Sequence, residues 1–365
     1  MREGWKKYNL GEVAELKNGK SRPEKVGTYP VYGGNGILGY TDKFNVDNET
    51  IIIGRVGAYC GAVYFERNKS WISDNALYAK THKGFDSKYL FYLLKYKNLN
   101  QYAGGSSHPL LTQGRLNELK VEVPPLHTQT RITSILSALD DKIELNRQTN
   151  QTLEAIAQAI YKEWFVNFNF PTSEGKPYRD SGGEMQDSEL GLIPKEWRVG
   201  KLGDLLSFRN GKSSPERNNI NGYPVYGANG VIGFASIYNS TDRTIIIGRV
   251  GSYCGAIYYT TQKAFVTENA IIAEAYNQNS SLFSFFLMER LNLNNYKVGS
   301  GQPLLNQTIL EGIDVLLPYK DIVDKFEGVL LPHFINIQYN EQQSSTILTI
   351  RNALLPKLMT GEIEV

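Results

Sequence analysis

Cysteine is almost missing from this chain, and that removes two architectures at once. The two present, Cys60 and Cys254 in 365 residues, are too few for a disulfide framework or a cysteine-rich metal site. Their matching Tyr-Cys-Gly settings make each a small plug in its own core. Histidine is as sparse: His82, His108, His127 and His333 are scattered and join the cysteines in no ligand spacing, so no metal is expected. No apolar run is long enough to span a bilayer, and the opening MREGWKKYNL lacks the apolar core of a signal peptide. The expected location is therefore the cytoplasm, away from any membrane. An excess of one charge is missing too. With 39 Lys and Arg against 37 Asp and Glu, any binding of a polyanion must rest on a local basic surface.

Catalytic motifs are equally absent. No GxSxG elbow, Walker loop or HExxH helix occurs. The only adjacent prolines, Pro124 and Pro125, lack the NPPY or DPPY setting of amino-methyltransferases. GNGILG at 34–39 fits GxGxxG by letter, but a turn and a strand follow where a dinucleotide site needs a helix, and its recurrence downstream begins with Ala228. A cluster of turn glycines accounts for it. No enzyme activity and no cofactor are expected.

What is present is a chain written twice. YPVYGGNGILGY at 29–40 returns as YPVYGANGVIGF at 223–234, and TIIIGRVGAYCGAVY at 50–64 as TIIIGRVGSYCGAIY at 244–258. Between 29–64 and 223–258 there are 22 identities in 36 positions at a constant offset of 194, which requires common descent. HPLLTQ at 108–113 maps onto QPLLNQ at 302–307. Upstream the offset is 192, with KNGKSRPE at 17–24 facing RNGKSSPE at 209–216. The two extra residues fall in the loop after Glu216.

His127–Phe165 reads as one helix of 39 residues, a rod of nearly 60 Å at about 1.5 Å per residue. Ile132, Leu136, Leu139, Ile143, Leu153, Ala157, Ile160 and Trp164 form a coiled-coil seam, interrupted by Asn146 and Asn150. Adding 194 yields a degraded twin with Asn340 at the place of Asn146, and these two amides are assigned to fixing the register of the pair. Pro332 and Pro356 have no counterparts, so the twin is expected to be firm only from Pro332 to Leu355 and shorter than the first. Short helices are expected at Ser87–Lys97 and Leu282–Leu291, and a last strand at 121–125. The fold class is α+β: two pseudo-symmetric strand-rich globules separated by an antiparallel two-helix coiled coil. The boundaries are 1–126 for the first globule, 127–166 for the central helix, 167–192 for a Gly- and Pro-rich spacer, 193–319 for the second globule and 320–365 for the carboxy-terminal helix.

Both copies carry groups suited to a polyanion. Lys17, Lys20, Arg22 and Lys25 cluster in one, and Arg209, Lys212 and Arg217 in the other, each beside Asn, Gly and Ser. Asn35 and Asn229 sit in the glycine turns. Arg55 and Arg249, in GRVG, can read guanine or hold a phosphate, or can pin a loop through Asp74 or Glu268. Tyr59 and Tyr253 are either core or base-stacking. Ser106, Ser107, His108 and Gln113 close the first globule, and Ser300, Gln302 and Gln307 the second, with small polar groups fit for base edges or phosphates. The exchange of His108 for Gln302 implies related but unequal targets. DNA-binding candidates are therefore Lys20, Arg22, Asn35, Arg55, Tyr59, Ser106, Ser107, His108 and Gln113, with Lys212, Arg217, Asn229, Arg249, Tyr253, Ser300, Gln302 and Gln307.

TRITSILSALDDKIELNRQTNQTLEAIAQAIYKEWFVNF, EGKPYRDSGGEM, ELGLIPKEW, the closing LLPKLMTGEIEV and KLGDLLSFRNGK together resemble the specificity subunit of type I restriction-modification enzymes, over essentially the whole chain. The resemblance implies two target-recognition domains that each bind half of a split double-stranded DNA sequence, and two helices that act as a ruler. It implies docking of two methyltransferase subunits, with restriction subunits in the full complex, and no catalysis by the chain itself. A duplicated chain on an antiparallel helix pair has a pseudo-twofold axis, which matches inverted half-sites. The target is then expected to be a nearly palindromic interrupted sequence. The rival reading is a cytoplasmic scaffold whose duplicated domains hold a ligand other than DNA.

Overall fold

The computed structural model describes residues 4–105, 109–218, 222–298 and 304–365. It divides into two compact units, Met1–Leu145 with Gln343–Val365, and Asn146–Gln342. In the first, β1 (Lys6–Asn9) pairs antiparallel with β9 (Lys120–Val123). Between them in the chain come β2 (Ala14–Asn18), β3 (Tyr29–Gly33), β4 (Gly36–Thr41), β5 (Thr50–Gly54), β6 (Val63–Glu66), β7 (Trp71–Ile72) and β8 (Ala76–Thr81). They form an antiparallel sheet of order β2-β8-β5-β6 and a smaller sheet β4-β3-β7, in which β3 and β7 run parallel.

The TIIIG run explains this layering. All five residues of β5 are buried, because both faces of the strand are covered, which makes it read as an unbroken apolar run. Ile51 and Ile53 join the core under the helix Ser87–Tyr96, while Ile52, with Ala76 of β8, packs against Tyr32 and Ile72 of the smaller sheet.

The second unit repeats the plan. After a hairpin of β10 (Met185–Ser188) and β11 (Gly191–Pro194) come β12 (Arg198–Lys201), β13 (Leu206–Asn210), β14 (Tyr223–Gly227), β15 (Gly230–Ala235), β16 (Thr244–Gly248), β17 (Ile257–Thr260), β18 (Phe265–Val266), β19 (Ala270–Ala275) and β20 (Asp314–Leu317). The sheets β13-β19-β16-β17, β15-β14-β18 and β12-β20 match those of the first unit. Its short helix is Ser281–Leu291. Cys60 and Cys254 are free and buried, one in each main core.

The long helices are Leu126–Tyr161, continued by a π turn at Lys162–Val166, and Lys320–Met359. The second is not confined to Pro332–Leu355: it has 40 residues, against 36 in the first before its five-residue π turn, and runs on through Pro332 and Pro356. A proline ring presses on the carbonyl four residues back, and for Pro332 that residue is Gly328, whose backbone yields easily. Burial of Phe326 and Leu330 before the proline and of Ile337 after it supplies more than the roughly 3 kcal/mol an interior proline costs. The stretch expected to be a spacer is also folded: Phe170 is fully buried, with ring centroids 5.5 Å from Trp197 and 4.6 Å from Tyr178. Among the described residues, no helix is long and apolar enough to cross a membrane.

Within the second unit the helix partners run antiparallel. The Asn146 amide donates to the Asn340 carbonyl at 3.3 Å, that of Asn150 to the Ile337 carbonyl at 3.2 Å, and that of Asn340 to Asn150 Oδ1 at 2.8 Å.

Each short helix is seated on a long one through a carboxylate, supplied from opposite sides in the two copies. Asp86 caps the first, accepting from the Tyr89 amide at 2.7 Å and from the Thr133 hydroxyl of the long helix at 3.1 Å. In the second unit the long helix provides the acid: buried Glu327 accepts from the Ser281 hydroxyl at 2.7 Å and the Leu282 amide at 3.0 Å. Burial raises the Glu327 pKa above the usual 4.5, against the opposing pull of those two donors. Its raised folded-state pKa contributes stability that is full below 4.5 and is lost as pH rises through the folded value. Unfolding free energy should therefore fall as pH rises from 4.5, and Glu327→Gln should flatten that slope in denaturant titrations at several pH values. Glu327→Ala, which orphans two buried donors, should cost about 3 kcal/mol.

Candidate nucleic-acid interface

One close approach gathers three loops at the end of β5. A Cβ on Gly54 would lie 2.4 Å from the Tyr59 carbonyl oxygen and 2.9 Å from that of Gly34, so only glycine fits. Gly248 has the same neighbours, Tyr253 at 2.3 Å and Ala228 at 2.8 Å. The approach brings the β3–β4 turn against GRVG, and the β14–β15 turn against its twin. Gly34 itself is not under that constraint: a Cβ there meets nothing nearer than 3.5 Å, which is why Ala228 is accepted.

The arginine backbone is then held on three sides. Arg55 N donates to Asn75 O at 3.2 Å, while its carbonyl accepts from Leu111 N at 2.9 Å and from the Cys60 thiol at 3.3 Å. Arg249 repeats this with Asn269, Leu305 and Cys254. Burial pushes both thiols up, so they stay protonated donors rather than nucleophiles. Gly104 and Leu110 exchange backbone hydrogen bonds at 2.9 and 2.8 Å and close the third loop, as Val298 and Leu304 do in the second unit. The candidates Ser106, Ser107, His108, Ser300 and Gln302 lie outside the described residues.

Tyr59 and Tyr253 are 51% and 48% exposed, so they stand out of the surface rather than in the core. Asn35 and Asn229 are exposed at their turns. Arg55 Nη1 reaches Asn18 Oδ1 at 3.3 Å, and neither arginine forms an ion pair with Asp74 or Glu268 among the described residues. The Nε atoms of both are buried without an acceptor.

Ion pairs sort the basic clusters. Lys17 is paired with Glu15 at 2.8 Å, Lys25 with Asp42 at 3.3 Å and Arg209 with Glu274 at 3.0 Å. Lys20 and Lys212 are exposed on backbone held by matching bridges to Ser73 and Thr267. Arg22 and Arg217 each donate Nη1 to a hairpin carbonyl, Leu38 at 3.5 Å and Ile232 at 3.1 Å. The repeat alignment sets Arg22 against Ser214, so this equivalence is invisible in the sequence. Gln113 is committed to the fold, its amide donating to Leu16 O at 3.1 Å. Gln307 opens the short helix Gln307–Glu311, half-buried.

Sequence reasoning passed over Ile37, Leu38, Val231 and Ile232, all exposed on the hairpins beside these groups. The signal for them was an apolar pair directly after Asn-Gly in both copies.

A cleft of about 850 Å³ lined by Trp5, Lys7, Tyr96, Lys97, Lys120 and Met359 is not part of the duplicated patch. Lys7, Lys97 and Lys120 become Val199, Leu291 and Asp314 in the second copy. Among the described residues, no group of three or more His, Cys, Asp or Glu is placed to hold a metal ion.

The profile of the family described as type I restriction modification DNA specificity domain matches residues 2–155 and again 194–348. The chain is similar to the type I restriction enzyme MjaIX specificity subunit of Methanocaldococcus jannaschii, 28% identical over 318 residues that cover 77% of this chain and 70% of the relative. It is 22% identical to the MjaVIII specificity subunit of the same organism, over 100% of this chain and 94% of that one. The crystal structure of a type I restriction-modification system S subunit from M. genitalium shares the fold, with a TM-score of 0.68 at 20% identity, covering 97% of this chain and 96% of that one.

If Lys20 and Lys212 hold phosphates, Lys20→Ala with Lys212→Ala should make the dependence of log K on log salt shallower by about 2, near 1 for each phosphate no longer neutralised. The fall in affinity should be uniform across sequences in a filter-binding series. A slope equal to the parent's would remove both lysines from the interface.

Proposed function

The chain belongs to the family of type I restriction modification DNA specificity domains, and from that we propose that it selects the DNA target of a type I restriction-modification enzyme. Each unit's patch reads one half of a bipartite duplex sequence, and the chain works within a complex of DNA and other subunits. The observation that carries this is the duplicated patch: Arg55 and Arg249, Tyr59 and Tyr253, Asn35 and Asn229, and Lys20 and Lys212 stand on the same backbone features in both units.

Equivalent patches read equivalent half-sites, so the target is a near-palindromic interrupted sequence with half-sites about one helical turn apart. The long helices set that separation and dock two methyltransferase subunits, which restriction subunits join in the full enzyme. The chain contributes recognition and the partners contribute chemistry, in the cytoplasm. Mapping of methylated positions in the host genome, followed by gel shifts of the assembled complex on the mapped duplex, tests the reading. Two inverted, similar half-sites are expected. Two unrelated half-sites would overturn the symmetry argument, and binding indifferent to sequence would overturn the function.

The asparagine bridge between the helices gives a second test. Replacing Asn146 and Asn340 with leucine removes the amide bridge that fixes the register, so tolerance for altered spacers should widen. An unchanged spacer preference would leave the helices as a docking surface alone.

A further inference from the structure

Four exposed aliphatic side chains lie at the ends of two matched hairpins. Ile37 and Leu38 are 50% and 44% exposed at the start of β4, and Val231 and Ile232 are 49% and 41% exposed at the start of β15. Successive residues of a strand point to opposite faces, so each hairpin is apolar on both sides near its turn. An apolar pair made to lie on a flat partner would occupy one face. A pair on both faces of a two-stranded ribbon suits insertion into a groove, and the major groove of duplex DNA admits a ribbon of this kind.

The hairpins are also rigidly presented. Gly36 and Gly230 take the same left-handed φ of +80° next to the turn, and the arginine bonds from Arg22 to Leu38 O and from Arg217 to Ile232 O brace the emerging strand. Those guanidiniums place positive charge at the neck of each ribbon, and Asn35 or Asn229 places an amide at its end. Charge and amide around an aliphatic pair complement a DNA groove better than an apolar protein surface. In the major groove the one apolar feature on a base edge is the thymine C5-methyl group.

Resting on the DNA-reading function proposed above, we infer that Ile37 with Leu38, and Val231 with Ile232, are specificity-determining residues that contact thymine methyl groups, one A·T pair or more in each half-site. The test uses the complete chain assembled with its methyltransferase subunits and its mapped target. Each thymine is replaced in turn by deoxyuridine, which removes the methyl and leaves pairing intact, and affinity is read by fluorescence anisotropy. At least one replacement in each half-site should weaken binding about fourfold, the equivalent of roughly 0.8 kcal/mol for one buried methyl. Ile37→Ala with Leu38→Ala should abolish the thymine–uracil difference in one half-site only, and Val231→Ala with Ile232→Ala in the other only, with unchanged melting temperatures. Uracil replacements without effect in both half-sites would overturn the inference, as would discrimination that survives both variants. Failure of subunit assembly with discrimination intact would overturn it in favour of protein docking. Any of these leaves sequence-specific binding standing; only a complex blind to sequence would bring down the proposed function as well.

Discussion

The seating of each short helix on a long one is the constraint through which everything else is positioned. The short helix covers the sheet that contains TIIIG, and that strand ends in the glycine that draws the three loops of the patch together. A strand buried on both faces cannot shift register without turning its side chains around, so the arginine that follows it is fixed relative to the long helix. The capping carboxylate makes the link polar and directional. In one copy Asp86 reaches from the loop to Thr133, and in the other Glu327 reaches from the long helix to Ser281. The acid has moved across the interface while the interface has stayed.

A second pairing shows the same drift with different chemistry. In the first unit Asp140 is shared by Arg351, at 2.7 Å, and by the Tyr92 hydroxyl, also at 2.7 Å. The positions related by 194 are Phe334, Ala157 and Phe286, and there Phe286 and Phe334 meet edge-on with centroids 5.9 Å apart. An ion pair with a hydrogen bond in one copy is an aromatic pair in the other. Exchange of a partly buried ion pair for packed apolar groups is often neutral or better in stability, so such positions are free to diverge as long as all partners change together.

Much of this was legible in the sequence. Repetition at a constant offset exposed the two units, a coiled-coil seam the first long helix, and β-branched runs the central strands. What stayed hidden depended on neighbours far along the chain. Pro332 reads as a helix boundary until tertiary packing on both sides is known to outweigh it. The Gly- and Pro-rich stretch after the first long helix reads as spacer because its polarity is conspicuous, while Phe170 and Trp197, which fold it down, are few and well separated. Gln113 looked free because an unbound amide and one bound to a distant strand carbonyl are written with the same letter. The basic clusters were visible as clusters, but which cations were already paired depended on where each side chain lies: Lys17 meets Glu15 of its own strand, while Lys25 and Arg209 meet acids distant in the chain, Asp42 and Glu274.

Comparing the copies with each other separates holding from reading. Positions that only hold the fold have exchanged chemistry: Asp86 with Ser280, Thr133 with Glu327, Asp140 with Phe334. Positions on the patch have kept theirs, including Arg55 and Tyr59 with their twins and the aliphatic pair of each hairpin. Arg22 and Arg217 are the most telling case. Two residues inserted after Glu216 have displaced the loop, and a different position along it now supplies the guanidinium to the same hairpin carbonyl. Alignment alone would miss that arginine. Its recovery from a neighbouring position means that the braced hairpin, rather than any one residue of the loop, is what both units retain.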